Sequence, residues 1–194
     1  MKKRQVENKR VTKETNIYIK LNLDGAGKYS IRTGMDFFDH MLTHIAKHGS
    51  FDLEIKAKGD KIPDKHHIVE DVGIVLGESF KKALGDKKGI NRYGFAGAPM
   101  DDALVNVALD FSGRPYIVFN LPLDKKKIGD FDEDLVEEFL RAFANNSGTT
   151  LNIQKVCGKN PHHLVESTFK SLGIALRDAV RISNKGIPST KGVL

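Results

Sequence analysis

One short block occurs twice in this sequence, with the same internal spacing. In each copy, two adjacent histidines and a glutamate begin an apolar helical pattern. The two blocks are His66, His67 and Glu70, and His162, His163 and Glu166. Each residue of the second block follows its counterpart by 96 positions. A single offset shared by three residues predicts an internal duplication, in which two copies of one unit take the same fold.

The elements around the blocks also repeat. Period-two alternation predicts strands, and apolar residues at helical spacing predict helices. The predicted elements are a strand hairpin in 15–34 with an Asp-Gly-Ala-Gly turn, a helix from Asp36 or Asp39 to Gly49, a strand in 51–57, a helix from 66 to Gly85, strands in 103–113 and 114–123, a helix capped by Asp132, a strand in 149–158 that buries Cys157, and a closing helix from 162.

We therefore expect the α+β class. Two strand-strand-helix-strand-helix halves, at about 10–90 and about 91–185, would form one sheet-and-helix layered domain spanning 1–194. No low-complexity linker separates the halves, so they are expected to share one core. Residues 186–194 form a C-terminal tail.

Composition narrows the class of protein. The formal net charge of +6 suits an acidic partner, which could be a nucleic acid, an anionic membrane or a phosphorylated metabolite. The single cysteine excludes an internal disulfide framework and all-thiolate metal sites, and it fits a reducing cytosol. The sequence has neither an apolar run of transmembrane length nor a signal-peptide pattern at its start. We expect a soluble, cytoplasmic protein with no membrane partner.

The residue types in the two blocks suit divalent metals. On a helix, His66 and Glu70 project about 40° apart, whereas adjacent histidines diverge by about 100°, so one helix can serve two ions. Imidazole and carboxylate ligands without thiolate favour manganese, iron, cobalt or zinc and disfavour a structural zinc knot. The alternative is a pair of surface histidines satisfied by water or backbone groups. Two blocks at one offset favour metal binding.

Five segments carry more specific information. They are FFDHMLTHIAKHGSFDL, DKHHIVEDVGIVLG, INRYGFAGAPMDDALVNVALDFSGRPY, NPHHLVESTFKS and PSTKGVL. In this order they resemble the imidazoleglycerol-phosphate dehydratase family of histidine biosynthesis, from about Arg10 to Leu194. The resemblance implies a metal-dependent hydro-lyase that converts imidazole glycerol phosphate, a small phosphorylated imidazole, to imidazole acetol phosphate and water.

The resemblance also implies two Mn²⁺ ions per active site, held between identical subunits of a twenty-four-subunit shell. The implied ligands are His40, His66, His67, Glu70, His162, His163 and Glu166. One common family pattern has a histidine ligand where this chain has Glu138. Because a carboxylate can replace an imidazole on manganese, Glu138 is included as a ligand, with a solvated acid beside Glu137 as the alternative.

Candidates for proton transfer follow from the same resemblance. Glu14 matches a family glutamate at the substrate and is the candidate base, the alternative being a solvated acid before a strand. His48 is the second candidate, or else a helix C-terminal histidine favoured by the helix dipole. His44 stands where many relatives carry glutamine and is assigned to substrate contact.

The resemblance places basic side chains at the substrate phosphate. The four cations are Arg92, Arg114, Lys170 and Lys191, and Ser189 and Thr190, which precede Lys191 in the C-terminal tail, could add hydroxyl or backbone donors. Arginine binds phosphate bidentately and lysine binds it as a point charge. Taken singly, each of these cations is also consistent with a solvated surface charge, since the chain has 31 lysines and arginines. Arg114, between Gly113 and Pro115 at a strand start, is the most constrained of them.

Two other functions remain open at this point. A basic nucleic-acid binder would show exposed aromatic residues interleaved with basic ones, but most phenylalanines fall on apolar positions and there is no tryptophan, so no nucleic-acid partner is expected. A metal-storage or metal-dependent assembly protein explains the ligands but gives no role to Arg92 and Arg114. A turnover assay with the phosphate ester separates it from the enzyme.

Overall fold

The described part of the chain contains two four-stranded sheets, one two-stranded ribbon and four helices. The computed structural model describes residues 3–59, 65–123, 127–183, 186 and 189. The elements of the first half are β1 (Gln5–Val11), β2 (Thr15–Asn22), β3 (Tyr29–Arg32), α1 (Asp36–Gly49), β4 (Asp52–Gly59) and α2 (His66–Leu84). Those of the second half are β5 (Tyr93–Met100), β6 (Ala103–Asp110), β7 (Tyr116–Asn120), β8 (Lys127–Ile128), β9 (Phe131–Asp132), α3 (Asp134–Ser147), β10 (Thr150–Cys157) and α4 (Pro161–Val180).

The two large sheets have the same strand order. The first is β1-β2-β4-β3 and the second is β5-β6-β10-β7. In both, the last pair is parallel and the other neighbours are antiparallel. The small β8-β9 ribbon has no counterpart in the described first half. The α+β class expected from the sequence is confirmed.

The helices cover one face of each sheet and pack across the two halves. Helices α1 and α2 contact the first sheet, and α3 and α4 contact the second. The close helix pairs are α1 with α4 and α2 with α3, so the helices lie between the sheets. One continuous cluster of buried apolar side chains runs through both halves, because alternate strand residues and one face of each helix point inward.

Glycines set the spacing within both helix pairs. A Cβ on Gly173 of α4 would lie 2.9 Å from the carbonyl oxygen of His44, and a Cβ on Gly77 of α2 would lie 2.6 Å from that of Phe143. These glycines are again 96 positions apart. The α2/α3 pair therefore repeats the close approach of the α4/α1 pair.

Several local predictions are wrong. The hairpin in 15–34 does not form, because β4 inserts between β2 and β3 and pairs with both. Each half also begins with an additional strand, β1 or β5. Cys157 ends β10 and is exposed rather than buried. Glu133, not Asp132, is the residue that precedes α3.

Candidate metal centre

Three ligand-type side chains converge where α1 meets α4. His40 on α1 and His162 and Glu166 on α4 each offer one atom, and these atoms lie within 4.8 Å of one another. His162 Nε2 is 3.3 Å and His40 Nε2 is 3.9 Å from Glu166 Oε2. Within the described ranges this is the one group of three such side chains close enough to share an ion. Their chemistry and spacing fit a divalent cation.

Local sequence explains how α4 presents its ligands. Asn160 caps the helix, and its side-chain oxygen accepts the backbone N–H groups of His162 and His163 at 2.9 and 3.4 Å. Pro161 occupies the first turn, where a missing N–H is harmless. The block is thereby fixed at the first turn of the helix, and Glu166 follows His162 by one turn on the same face.

Glu166 is the buried charge of this cluster. Only 6% of the residue is exposed, and its Oε1 accepts a hydrogen bond from Lys170 Nζ at 2.7 Å. Burial alone would raise the pKa of Glu166, but the hydrogen bond and charge of Lys170 outweigh burial and lower it. The carboxylate therefore stays ionised, as a metal ligand must be.

The histidines of α1 form a ladder at one-turn intervals. His40 Nε2 and His44 Nε2 are 3.3 Å apart, and the rings of His44 and His48 stack at 5.4 Å. Burial, followed by the charge of His40, lowers the pKa of His44 to about 4. Burial and then the charge of Lys170 lower the pKa of His48. Both rings are neutral at pH 7, and His44 Nε2 lies 3.4 Å from Glu166 Oε1.

The first block is more open. His66 Nε2 lies 4.0 Å from Glu70 Oε2, and His67 Nδ1 lies 3.8 Å from Glu14 Oε2, with all four side chains more than one-third exposed. Glu14 reaches the block from the turn between β1 and β2. The structure thus brings the candidate base beside one predicted ligand pair.

Glu138 lies on α3, against which α2 packs. Aligning FDHMLTH with VEEFLRA puts Glu138 at the position of His40 in the first half. The side chain of Glu138 is half-buried, and its role as a ligand of the first block stays a prediction.

Sequence reasoning missed a carboxylate at the second block. Asp102, in the turn between β5 and β6, accepts a hydrogen bond from His163, with 2.7 Å between its Oδ1 and His163 Nδ1. The duplication carried the signal, because the turn between β1 and β2 holds Glu14 in the corresponding place.

The predicted phosphate contacts lie in two regions. Lys170 belongs to the α4 cluster. Arg92, with a left-handed φ of 75°, donates to both oxygens of Asp110 at 2.6 and 3.0 Å. Arg114 is exposed after Gly113, and its N–H donates to Ser112 Oγ at 3.1 Å. Ser189 is half-buried, whereas Thr190 and Lys191 lie outside the described residues.

Sequence reasoning also missed Lys87. Its Nζ donates to the carbonyl of Phe111 at 3.1 Å, and burial lowers its pKa. This hydrogen bond connects the loop after α2 to Phe111, which follows β6 and precedes Arg114 in the sequence. Its signal was a lysine within a Gly-Asp-Lys-Lys-Gly loop, which resembles any solvated turn.

Comparison with known proteins identifies the family. Residues 33–176 match the imidazoleglycerol-phosphate dehydratase family. An imidazoleglycerol-phosphate dehydratase of Thermoanaerobacter pseudethanolicus is 56% identical over 193 residues, which cover 98% of this chain and 100% of the relative. The chain belongs to the imidazoleglycerol-phosphate dehydratase family. Its members are hydro-lyases.

Other relatives agree over nearly the full length. The dehydratase of Clostridium botulinum strain Langeland is 58% identical, with 95% of each chain covered. The crystal structure from Pyrococcus furiosus matches with a TM-score of 0.85 and 40% identity, covering 96% of this chain and all of that one. The Staphylococcus aureus structure matches with a TM-score of 0.83 and 39% identity, covering 92% of this chain and 99% of that one.

No helix in the described part of the chain is long and apolar enough to cross a membrane.

Proposed function

We propose that this chain converts imidazole glycerol phosphate to imidazole acetol phosphate and water in L-histidine biosynthesis, and that it depends on metal. Family membership supports the reaction. The observation that carries the metal dependence is the convergence of His40, His162 and Glu166 within 4.8 Å.

The site would hold two Mn²⁺ ions. The proposed ligands are His40, His66, His67, Glu70, Glu138, His162, His163 and Glu166. When bound, the ions would supply Lewis acidity that lowers the cost of negative charge on the imidazole ring of the substrate. The chain's own residues then bind, orient and deprotonate the substrate.

Glu14 is the proposed base. It would take the proton from the carbon next to the one that loses its hydroxyl, so that a proton and a hydroxyl leave together as water. The enol that remains becomes the ketone by moving its hydroxyl proton to carbon. His48, neutral at pH 7 and stacked on His44, is the second candidate for proton transfer, and His44 would contact the substrate.

The phosphate would be held by Arg92, Arg114, Lys170, Ser189, Thr190 and Lys191. Arg92 is held rigidly by Asp110 and keeps a fixed orientation. Arg114 is exposed, so that its guanidinium could turn toward an anion. Charge-assisted contacts of this kind would fix the reacting carbon relative to Glu14.

Identical subunits would complete the site. Among described residues, the first block has no group of three ligand-type side chains within 4.8 Å, whereas the second has one. We propose that a second copy supplies the missing ligands, in the cytoplasmic twenty-four-subunit shell that the resemblance implies.

One experiment tests the proposal. Formation of imidazole acetol phosphate is measured for the purified protein, for protein dialysed against chelator, and after Mn²⁺ is restored, with native mass and metal content recorded each time. We expect turnover to disappear with the metal and to return with Mn²⁺. The matched control is Glu137→Gln, a surface acid of α3, which should behave as wild type. Metal-loaded protein without turnover would favour metal storage, and full turnover without metal would refute the metal dependence.

A further inference from the structure

The contact between Asp102 and His163 is the shortest histidine–carboxylate contact of the second block. His163 Nδ1 and Asp102 Oδ1 are 2.7 Å apart, with 23% and 45% of the two side chains exposed. Asp101 lies on the other side of the ring, but its Oδ2 is 3.5 Å from Nε2, beyond an ordinary N–H···O distance. The bond at Nδ1 therefore dominates.

Backbone groups hold the Asp102 carboxylate in place. Its second oxygen accepts the N–H groups of Lys159 and Asn160 at 2.7 and 3.2 Å. Together with the bond to His163 at its first oxygen, they fix the orientation of the carboxylate. Asn160 is also the cap of α4, so Asp102, the cap and His163 form one connected unit.

This geometry decides which ring nitrogen carries the proton. An aspartate is ordinarily ionised at neutral pH, and its carboxylate then only accepts hydrogen bonds, so Nδ1 of His163 must donate. In the neutral ring the other nitrogen, Nε2, then keeps its lone pair. Carboxylates that accept from a metal-binding histidine fix its tautomer and ring orientation in this way.

The duplicated counterpart is built differently. Glu14 and His67 occupy the corresponding turn and helix start, but Glu14 Oε2 and His67 Nδ1 are 3.8 Å apart, too far for a hydrogen bond. Asp102 is therefore hydrogen-bonded to its histidine, whereas Glu14 is not.

We propose that Asp102 is a positioning residue that holds His163 with Nδ1 protonated and Nε2 presented to a divalent cation, whereas its counterpart Glu14 makes no such hydrogen bond to His67. The cation-binding part rests on the proposed metal dependence.

The first test needs no metal. Protein labelled with ¹⁵N-histidine is stripped with chelator and studied by solid-state NMR well above the ordinary histidine pKa of about 6.5. The His163 signal is assigned by its loss in His163→Gln. We expect the Nδ1–H tautomer in wild type. In Asp102→Asn the amide can donate to Nδ1 while its oxygen still accepts the backbone N–H groups, so the tautomer should reverse.

The second test measures Mn²⁺ affinity by calorimetry. Asp102→Asn should weaken binding about 10- to 100-fold at the site that uses His163. The double variant with His163→Gln should bind as His163→Gln alone, because Asp102 acts through that ring. Asp52→Asn is the matched control, since Asp52 also accepts two backbone N–H groups, from Ala26 and Lys28, and should bind Mn²⁺ as wild type.

Two results would overturn the assignment of Asp102: an Nε2–H tautomer of His163 in the wild type, or wild-type Mn²⁺ affinity in Asp102→Asn. Wild-type protein that binds no Mn²⁺ would instead overturn the proposed metal dependence, and the tautomer would still decide the role of Asp102. If Asp102→Asn does not fold, the tautomer of His163 in the wild type still confirms or overturns that role.

Discussion

Replacing Glu166 with glutamine should cost more stability than the same change at Glu137, because Glu166 belongs to a buried ion pair and Glu137 to an exposed pair with the same sequence spacing. Glu166 accepts from Lys170 at i+4, and the two side chains are 7% and 19% exposed. Glutamine keeps the shape but removes the charge, so the variant loses a charge-assisted hydrogen bond in a poorly solvated site. Such bonds contribute about 1.5–3 kcal/mol. We expect the free energy of unfolding of metal-free protein to fall by that amount.

The control is Glu137→Gln in α3. Glu137 pairs with Arg141 at i+4, but these side chains are 38% and 47% exposed. An exposed helix pair contributes about 0.3–0.5 kcal/mol, so the control should lose several-fold less stability than Glu166→Gln.

Urea unfolding at one fixed protein concentration, in chelator and in excess Mn²⁺, measures both effects. Wild type and Glu137→Gln should gain about 2.7 kcal/mol for each ion bound when Mn²⁺ is present at a hundred times its dissociation constant, and Glu166→Gln should gain less because it lacks one ligand. Equal losses for both variants in chelator would refute the reasoning from burial. An undiminished gain from Mn²⁺ in Glu166→Gln would remove Glu166 from the ligand set.

Three further predictions concern single substitutions. Glu14→Gln should keep both metals and bind substrate but turn over about a hundredfold more slowly, since it loses only basicity; steady-state kinetics with metal analysis checks this, and near-normal turnover would exclude Glu14 as base. Arg114→Ala should raise KM about 10- to 100-fold with metal content unchanged, because it loses a charge-assisted contact to the phosphate. If poor folding is its only defect, Arg114 serves a structural turn instead. Asp52→Asn should lower stability at neutral pH, because the N–H of Ala26 leads the contacts that lower the pKa of Asp52. A carboxylate with a lowered pKa in the folded state stabilises the protein above its unfolded pKa of about 4, and this contribution is lost as the pH falls. In urea unfolding, the difference in stability between wild type and Asp52→Asn should therefore shrink below about pH 4.

The strands that the sequence did not predict, β1 and β5, lack the residue pattern typical of a strand. β1 reads QVENKRV, and only Asn8 in it is buried, so the strand has no alternating apolar face to detect. β5 contains Gly94, Gly97 and Pro99, which usually indicate a turn. The fold requires glycine there because a Cβ on Gly94 would lie 1.9 Å from the carbonyl oxygen of Ala175 on α4.

The part of the candidate site that could be predicted is the part in which the residues are related by helical spacing. Spacing alone indicated that His162 and Glu166 share a helix face, and the structure confirms that they meet. Spacing could not show that His40, from a helix far away in sequence, joins them, because that contact depends on how α1 crosses α4; the resemblance supplied it. The Asp102–His163 bond escaped because it links a turn to a helix start.

The crossed packing of the helices has a consequence for how the protein is made. Glu166 follows His40 by 126 positions, and the helix that packs closely against α1 is α4, the last helix of the described part of the chain. Closing so long a loop is entropically costly, and contacts of this range form slowly. A chain that ends before α4 lacks His162 and Glu166, so it cannot form the buried cluster. If the cluster binds metal as proposed, capture there would begin only after α4 has been synthesised and has packed against α1.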